Sequence, residues 1–264
     1  MTAGREAGLA LRAYLASRLG LATQAEDAIN RLVLWNIDLT LVDVDRVTRA
    51  AYAEAFPAVT GRPLIRPPQL PGRAEPEIFF NALATNGADM SKAEDLLEPF
   101  SAALAQALAA RRDDLVSQGQ LLPGAAEALA AVAKLDGVVA TVLTGNSRPN
   151  ARLKLAAFGL DSYVDLEIGG YGSDPYPKGT LLRVAREQAA RKHPKMTFTE
   201  PGTVYIADSA RDVEAARIGG ARSLAVASGR ASAAELREAG ADAVLPDLTD
   251  PAALTDLIVR LTQV

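Results

Sequence analysis

Leu32-Val33-Leu34-Trp35-Asn36-Ile37-Asp38-Leu39-Thr40-Leu41 is the stretch that decides how this chain folds. Four consecutive apolar residues cannot alternate between a core and a solvent face. The run therefore reads as a strand of a parallel sheet, buried on both sides. It stops abruptly at polar side chains, Asn36, Asp38 and Thr40, which reads as the strand's carboxyl end feeding a loop. In an open α/β sheet that edge is where ligands bind.

Further along, the same texture repeats. A β-branched, apolar strand is expected over 138–143, ending at Thr144-Gly145-Asn146, and another over 204–207, ending in Asp208. Strands are also expected over 163–168, 223–227 and 243–245. Helices alternate with them: 123–135 with Pro123 in its first turn, 150–158 stopped by Gly159, 179–192 opened by Lys178, 211–218 stopped by Gly219-Gly220, then 233–238 and 251–262. This alternation predicts an α/β fold with a Rossmann-like, doubly wound parallel sheet.

The region after the first strand is different. It predicts a helix over 45–60 ending at Gly61, a proline-rich loop ending in Pro71-Gly72-Arg73, and a helix over 74–86 closed by Gly87. Ser91-Lys92-Ala93-Glu94 reads as a capping box opening a third helix toward Asp114. Residues 4–20 carry Leu9, Leu11, Tyr14, Leu15 and Leu19 at helical spacing, a predicted amphipathic helix. The expected layout is an N-terminal helical extension over 1–30, an α/β core over 31–44 and 121–264, and a helical cap inserted over 45–120.

Composition narrows the function. With 28 basic and 32 acidic residues in 264, the net charge of −4 gives no basic surface for a phosphate backbone, so no nucleic-acid partner is expected. Cysteine is absent, which excludes disulfides and thiolate metal sites. The single histidine, His193, cannot supply a multi-histidine zinc site. No signal peptide and no stretch of the ~20 apolar residues that a membrane span needs are visible, so a cytoplasmic protein without a membrane partner is expected. Oligomeric state is not legible.

Each polar group at the sheet edge has an ordinary explanation alone: a helix cap, a loop residue, a solvated charge. Their order along the chain is more specific. Trp35-Asn36-Ile37-Asp38-Leu39-Thr40-Leu41-Val42-Asp43, Leu143-Thr144-Gly145-Asn146, Lys178, and Ala207-Asp208-Ser209-Ala210-Arg211-Asp212 together resemble the four motifs of the haloacid dehalogenase-like hydrolases, in the phosphoglycolate phosphatase and β-phosphoglucomutase branch. The segment from Ala151 to Leu160 resembles that branch's helix after the second motif, and the resemblance spans about 31–230.

The resemblance implies a Mg²⁺-dependent phosphoryl transfer from a small-molecule phosphate ester, through an aspartyl-phosphate, in a core covered by a helical cap. Position 36 corresponds to the nucleophile and Asp38 to the acid/base, with its carbonyl also facing Mg²⁺. Thr144, Gly145 and Asn146 would hold phosphoryl oxygens, Lys178 would neutralise charge, and Asp208 would ligate Mg²⁺. Asp212 is expected to act through water or by orienting neighbours. Arg73, in the cap loop, is a candidate grip on the leaving group, although a helix N-terminus explains that turn equally well.

Asn36 departs from the pattern. A carboxamide is a poor nucleophile and removes one negative charge from the metal site while keeping the shape of aspartate. The resemblance then implies a phosphatase disabled at its nucleophile. Two origins stay open: an engineered replacement in an otherwise intact site, favoured by the retained Asp38, Thr144, Lys178 and Asp208, and a natural pseudoenzyme that binds a phosphorylated ligand. Asp38 speaks for ester chemistry, because true dehalogenases need no acid there. A phosphomutase remains the alternative enzyme.

Overall fold

The computed structural model describes residues 30–174 and 177–263. The amphipathic helix expected over 4–20 lies outside them. Strands β1 (Arg31–Trp35), β4 (Val138–Val142), β5 (Thr203–Ala207), β6 (Arg222–Val226) and β7 (Ala243–Leu245) form a parallel sheet in the order β4-β1-β5-β6-β7. The apolar run of β1 sorts its side chains by the two-residue period of a strand. Val33 and Trp35 enter one core, Leu32 and Leu34 enter the core on the opposite face, and all four are fully buried. Flanked by β4 on one side and β5 on the other, β1 delivers its carboxyl end to the switch point of the sheet.

Two short strands, β2 (Val42–Asp43) and β3 (Gln120–Leu121), pair antiparallel where the chain leaves the core and returns. Between them lie four helices, α1 (Asp45–Thr60), α2 (Glu75–Thr85), α3 (Ala93–Ala109) and α4 (Arg112–Gln118). Their interior is aromatic: Phe79 and Phe100 stack with centroids 4.1 Å apart, and Tyr52 leans on Phe100 at 5.4 Å. The remaining core helices are α5 (Ala125–Val132), α6 (Arg148–Ala157), α7 (Lys178–Lys192), α8 (Ala210–Ile218), α9 (Ala233–Glu238) and α10 (Pro251–Leu261).

Four expectations need correction. The capping box at Ser91 does not form: Asp89 caps a 3₁₀ turn over Met90–Lys92 by accepting from the Ser91 amide, and α3 begins one residue later without a side-chain cap. The third cap helix is two helices, α3 and α4. Pro123 lies ahead of α5, whose N-cap is Gly124 at φ 76°, a conformation that glycine takes without a Cβ clash and that lets it sit against the Leu248 carbonyl. The strand expected over 163–168 is absent. There the chain touches the edge of β4 through Asp165 N–H to Ala140 O, the Thr141 hydroxyl to Asp165 O and Gly170 N–H to Val142 O, with turns between.

The aromatic stack is the keystone of the helical insertion. Phe100→Ala should cost about 3–5 kcal/mol of unfolding free energy. Urea denaturation measures it, and a loss below about 1 kcal/mol would show that the insertion is held by other means.

Candidate active site

The carboxyl ends of β1, β4 and β5 bring Asn36, Thr144 and Asp208 together. Asn36 is 6% exposed, and its Nδ2 donates to Asp208 Oδ1 at 3.0 Å, to the Asp38 carbonyl at 3.0 Å and to Thr40 Oγ1 at 3.3 Å. Thr40 Oγ1 donates to the same Asp208 oxygen at 2.9 Å. Asp208 is approached closely by backbone on its other side: a Cβ on Gly229 would lie 2.1 Å from its Oδ2, so only glycine fits. The loop after β1 turns through Leu39 at φ 60°, the one non-glycine residue with positive φ among those described. Its carbonyl is held by the Ser228 hydroxyl at 2.8 Å.

A second network surrounds Asp38. Lys154 donates to Asp38 Oδ1 at 2.7 Å and to Asn146 Oδ1 at 2.8 Å. Asn146 Nδ2 donates to Asp38 Oδ2 at 2.6 Å and to Thr144 Oγ1 at 2.7 Å. Lys154 is 1% exposed, and among the candidates read from the sequence it was missed. The signal was available: Asn150, Ala151, Lys154 and Leu155 share the buried face of α6 at spacings of one and four, and a lysine on an apolar stripe needs a partner.

Lys178 opens α7 and pairs with Asp212 Oδ1. Asp212 is 1% exposed, accepts also from Tyr205 Oη at 2.9 Å, and its other oxygen takes the Ser209 hydroxyl. With both oxygens engaged, Asp212 anchors Lys178 and does not offer a free oxygen to a metal. Burial pushes the Tyr205 phenol well up, and the Asp212 carboxylate adds to this.

The helical insertion closes over these groups. Glu75 N–H donates to the Gly145 carbonyl at 2.8 Å, and a Cβ on Gly145 would meet the Arg73 carbonyl at 1.9 Å. Gly72 packs on Ser209 and Arg211 of the core. A cavity of about 50 Å³ remains, lined by residues of both parts, among them Asn36, Asp38, Arg73, Thr144, Lys154 and Lys178. Arg73 reaches that wall, but its Nη1 is committed to Glu77, which Arg211 also grips.

As a magnesium site the donor set does not fit. Mg²⁺ wants several oxygen ligands and charge neutralisation. Here the Asn36 amide hydrogens cover the two acceptors that would face the ion, Asp38 O and Asp208 Oδ1. Among the described residues no cluster of three or more His, Cys, Asp or Glu could hold a metal. Nor is any of their helices long and apolar enough to cross a membrane.

The chain belongs to the haloacid dehalogenase-like hydrolases, whose family model matches residues 33–217. No curated protein matches the sequence. Solved structures share the fold. A hydrolase from Pseudomonas syringae is 24% identical with a TM-score of 0.62, covering 87% of this chain and 99% of that one. CbbY from Rhodobacter sphaeroides, in complex with phosphate, is 20% identical with a TM-score of 0.60, covering 84% and 96%. A "predicted phosphoglycolate phosphatase" from Haemophilus somnus is 18% identical with a TM-score of 0.61, covering 86% and 98%. The fold is thus the Rossmann-like α/β core of this family with an inserted helical cap.

Burial raises the Asp208 carboxyl from 3.8 to about 7, and the Asp212 carboxylate adds to it, while the bonds from Thr40 and Asn36 and the charge of Lys178 pull it back. An acid whose folded pKa is raised lends stability that is complete below its unfolded value and is lost as pH rises through the folded one. The melting temperature should therefore carry a component that falls between about pH 4 and pH 7. Asp208→Asn should flatten it, and thermal melts in which the slope survives the substitution would refute the assignment.

Proposed function

We propose that this chain binds a small-molecule phosphate monoester at the ends of β1, β4 and β5 and stops short of transferring its phosphoryl group. The observation that carries this reading is the Asn36 amide, which stands between Asp208 and the Asp38 carbonyl where a nucleophilic carboxylate would otherwise be. Membership of the hydrolase family supports a phosphatase scaffold.

The parts then divide the work. The Thr144 hydroxyl and the backbone N–H groups beside it would receive phosphoryl oxygens. Lys178, oriented by Asp212, would supply positive charge on one side of the cavity. With aspartate at position 36, a carboxylate oxygen would attack phosphorus as the bond to the leaving alcohol breaks, and Asp38 would give that alkoxide a proton. Water, losing a proton to Asp38, would then cleave the aspartyl-phosphate. With Asn36 the first bond does not form. A neutral amide also removes the repulsion that a carboxylate exerts on an incoming phosphate, so binding survives where chemistry fails. Lys154 and Asn146 hold both oxygens of Asp38 and thereby aim it across the cavity.

Asn36→Asp tests the reading with two measurements. It places a second carboxylate about 3 Å from Asp208, which should lower the melting temperature without metal and let Mg²⁺ restore it. The chain with Asn36 should respond little to Mg²⁺. The aspartate form should also release phosphate from small monoesters at a rate at least ~10³-fold above the asparagine form, as expected when a covalent nucleophile is restored. Equal rates in the two forms, together with no Mg²⁺ effect on either melting curve, would overturn it.

A further inference from the structure

The cap side of the cavity contains hydrogen-bonding groups that nothing in the protein satisfies. Tyr52 is 1% exposed, yet its Oη makes no hydrogen bond. The same holds for the buried Thr48 Oγ1. Thr48, Tyr52 and Glu75 all line the cavity, the first two one turn apart on α1. Most buried polar groups in folded proteins are paired, because an unpaired one costs a full desolvation penalty. Two unpartnered hydroxyls beside a buried carboxylate on one small cavity mark a surface built for a polar ligand.

Their chemistry says which. Glu75 accepts from Asn150 Nδ2 at 2.8 Å and has the Ser147 amide and hydroxyl beside it, and a carboxylate keeps lone pairs for a further donor. The Tyr52 and Thr48 hydroxyls can each donate. One ligand hydroxyl serves both kinds at once, donating to Glu75 and accepting from Tyr52. An ammonium can only donate, and Lys154, whose charge already acts on Glu75, opposes a second cation here. The cavity of about 50 Å³ limits size, since a single water needs ~10–15 Å³ on that measure. A hexose or a nucleoside would hold the cap open.

We propose that Thr48, Tyr52 and Glu75 form the leaving-group subsite, and that it selects phosphate monoesters of short, hydroxyl-bearing alcohols of about three carbons. The proposal rests on the phosphate-ester reading of the site.

The test is equilibrium binding to the chain as it stands, by calorimetry, using glycerol 1-phosphate, propyl phosphate, ethanolamine phosphate and inorganic phosphate. Glycerol 1-phosphate should bind about tenfold tighter than propyl phosphate, which has the same length without the hydroxyls. Tyr52→Phe and Glu75→Gln should each bring that ratio toward one and leave inorganic phosphate affinity unchanged. Because the Tyr52 and Thr48 hydroxyls have no partner in the protein, Tyr52→Phe and Thr48→Val should keep or raise the melting temperature. These two keep the test alive if Glu75→Gln does not fold.

Equal affinities for the glycerol and propyl esters, a preference untouched by Tyr52→Phe and Thr48→Val, or tightest binding of ethanolamine phosphate would each overturn the subsite. If inorganic phosphate binds, is lost in Lys178→Ala, and no hydroxyl preference exists, only this inference falls. If neither phosphate nor any ester binds, the phosphate-ester reading falls and takes the subsite with it.

Discussion

The hydrogen bond from Asn36 to Asp208 ties the end of β1 to the end of β5, and the rest of the site is arranged around it. It exists because β1 is buried on both faces, and a one-residue slip would send each row of side chains into the core shaped for the other. Paired with β4 and β5 along its length, the strand delivers its last residues to a fixed point. The loop beyond is bought with backbone strain at Leu39, a left-handed residue with a side chain, worth about 1–2 kcal/mol. The hydrogen bond from Ser228 and the close approach of Gly229 to Asp208 hold that loop from the far side.

Charge is balanced by two local pairings. Asp38 has Lys154, and Asp212 has Lys178, each with a further neutral donor, Asn146 in the first case and Tyr205 in the second. Asp208 alone has no direct cation; its partners are the neutral Asn36 amide and the Thr40 hydroxyl. Isolated in this way, its carboxyl is pushed up toward neutrality. An aspartate at position 36 would put two unpaired carboxylates in contact, a state that requires a cation or a proton. The asparagine removes that requirement, and so converts a site that calls for a divalent ion into one that is self-satisfied.

How much of this was legible depended on whether the signal was local. The buried run of β1, its polar stop, and the alternation from 138 onward were readable because strand and helix periods are written in neighbouring residues. The loop ends at Asn36, Thr144 and Asp208 were readable as strand termini, and the fold gathers them at one edge. Local rules misled where tertiary contacts competed. Ser91 had the spacing of a capping box, but Asp89 took the amide first. The segment 163–168 had strand-like residues, but a single backbone bond from it, Asp165 N–H to Ala140 O, reaches β4. Lys154 could have been found from its place on a buried helix face. Tyr52 and Glu75 could not, since nothing in a sequence tells a buried phenol with a partner from one without.

The cap's closed position follows from the same accounting. Glu75 gives its N–H to Gly145 and one carboxylate oxygen to Asn150, so a single residue latches the cap to β4 and to α6. The Tyr52 and Thr48 hydroxyls are nevertheless buried without partners, each at a cost of about 1–3 kcal/mol. The latch bonds and the Glu77–Arg211 pair offset that cost only in part, because the latter is half exposed and weak. An open cap would hydrate the same atoms. A ligand that meets them inside the cavity therefore stabilises the closed form by the whole penalty it relieves, which makes closure and recognition of the leaving group one equilibrium. Burial raises the Glu75 carboxyl in the closed form, while the bonds from Asn150 and Ser147 and the charge of Lys154 pull it back.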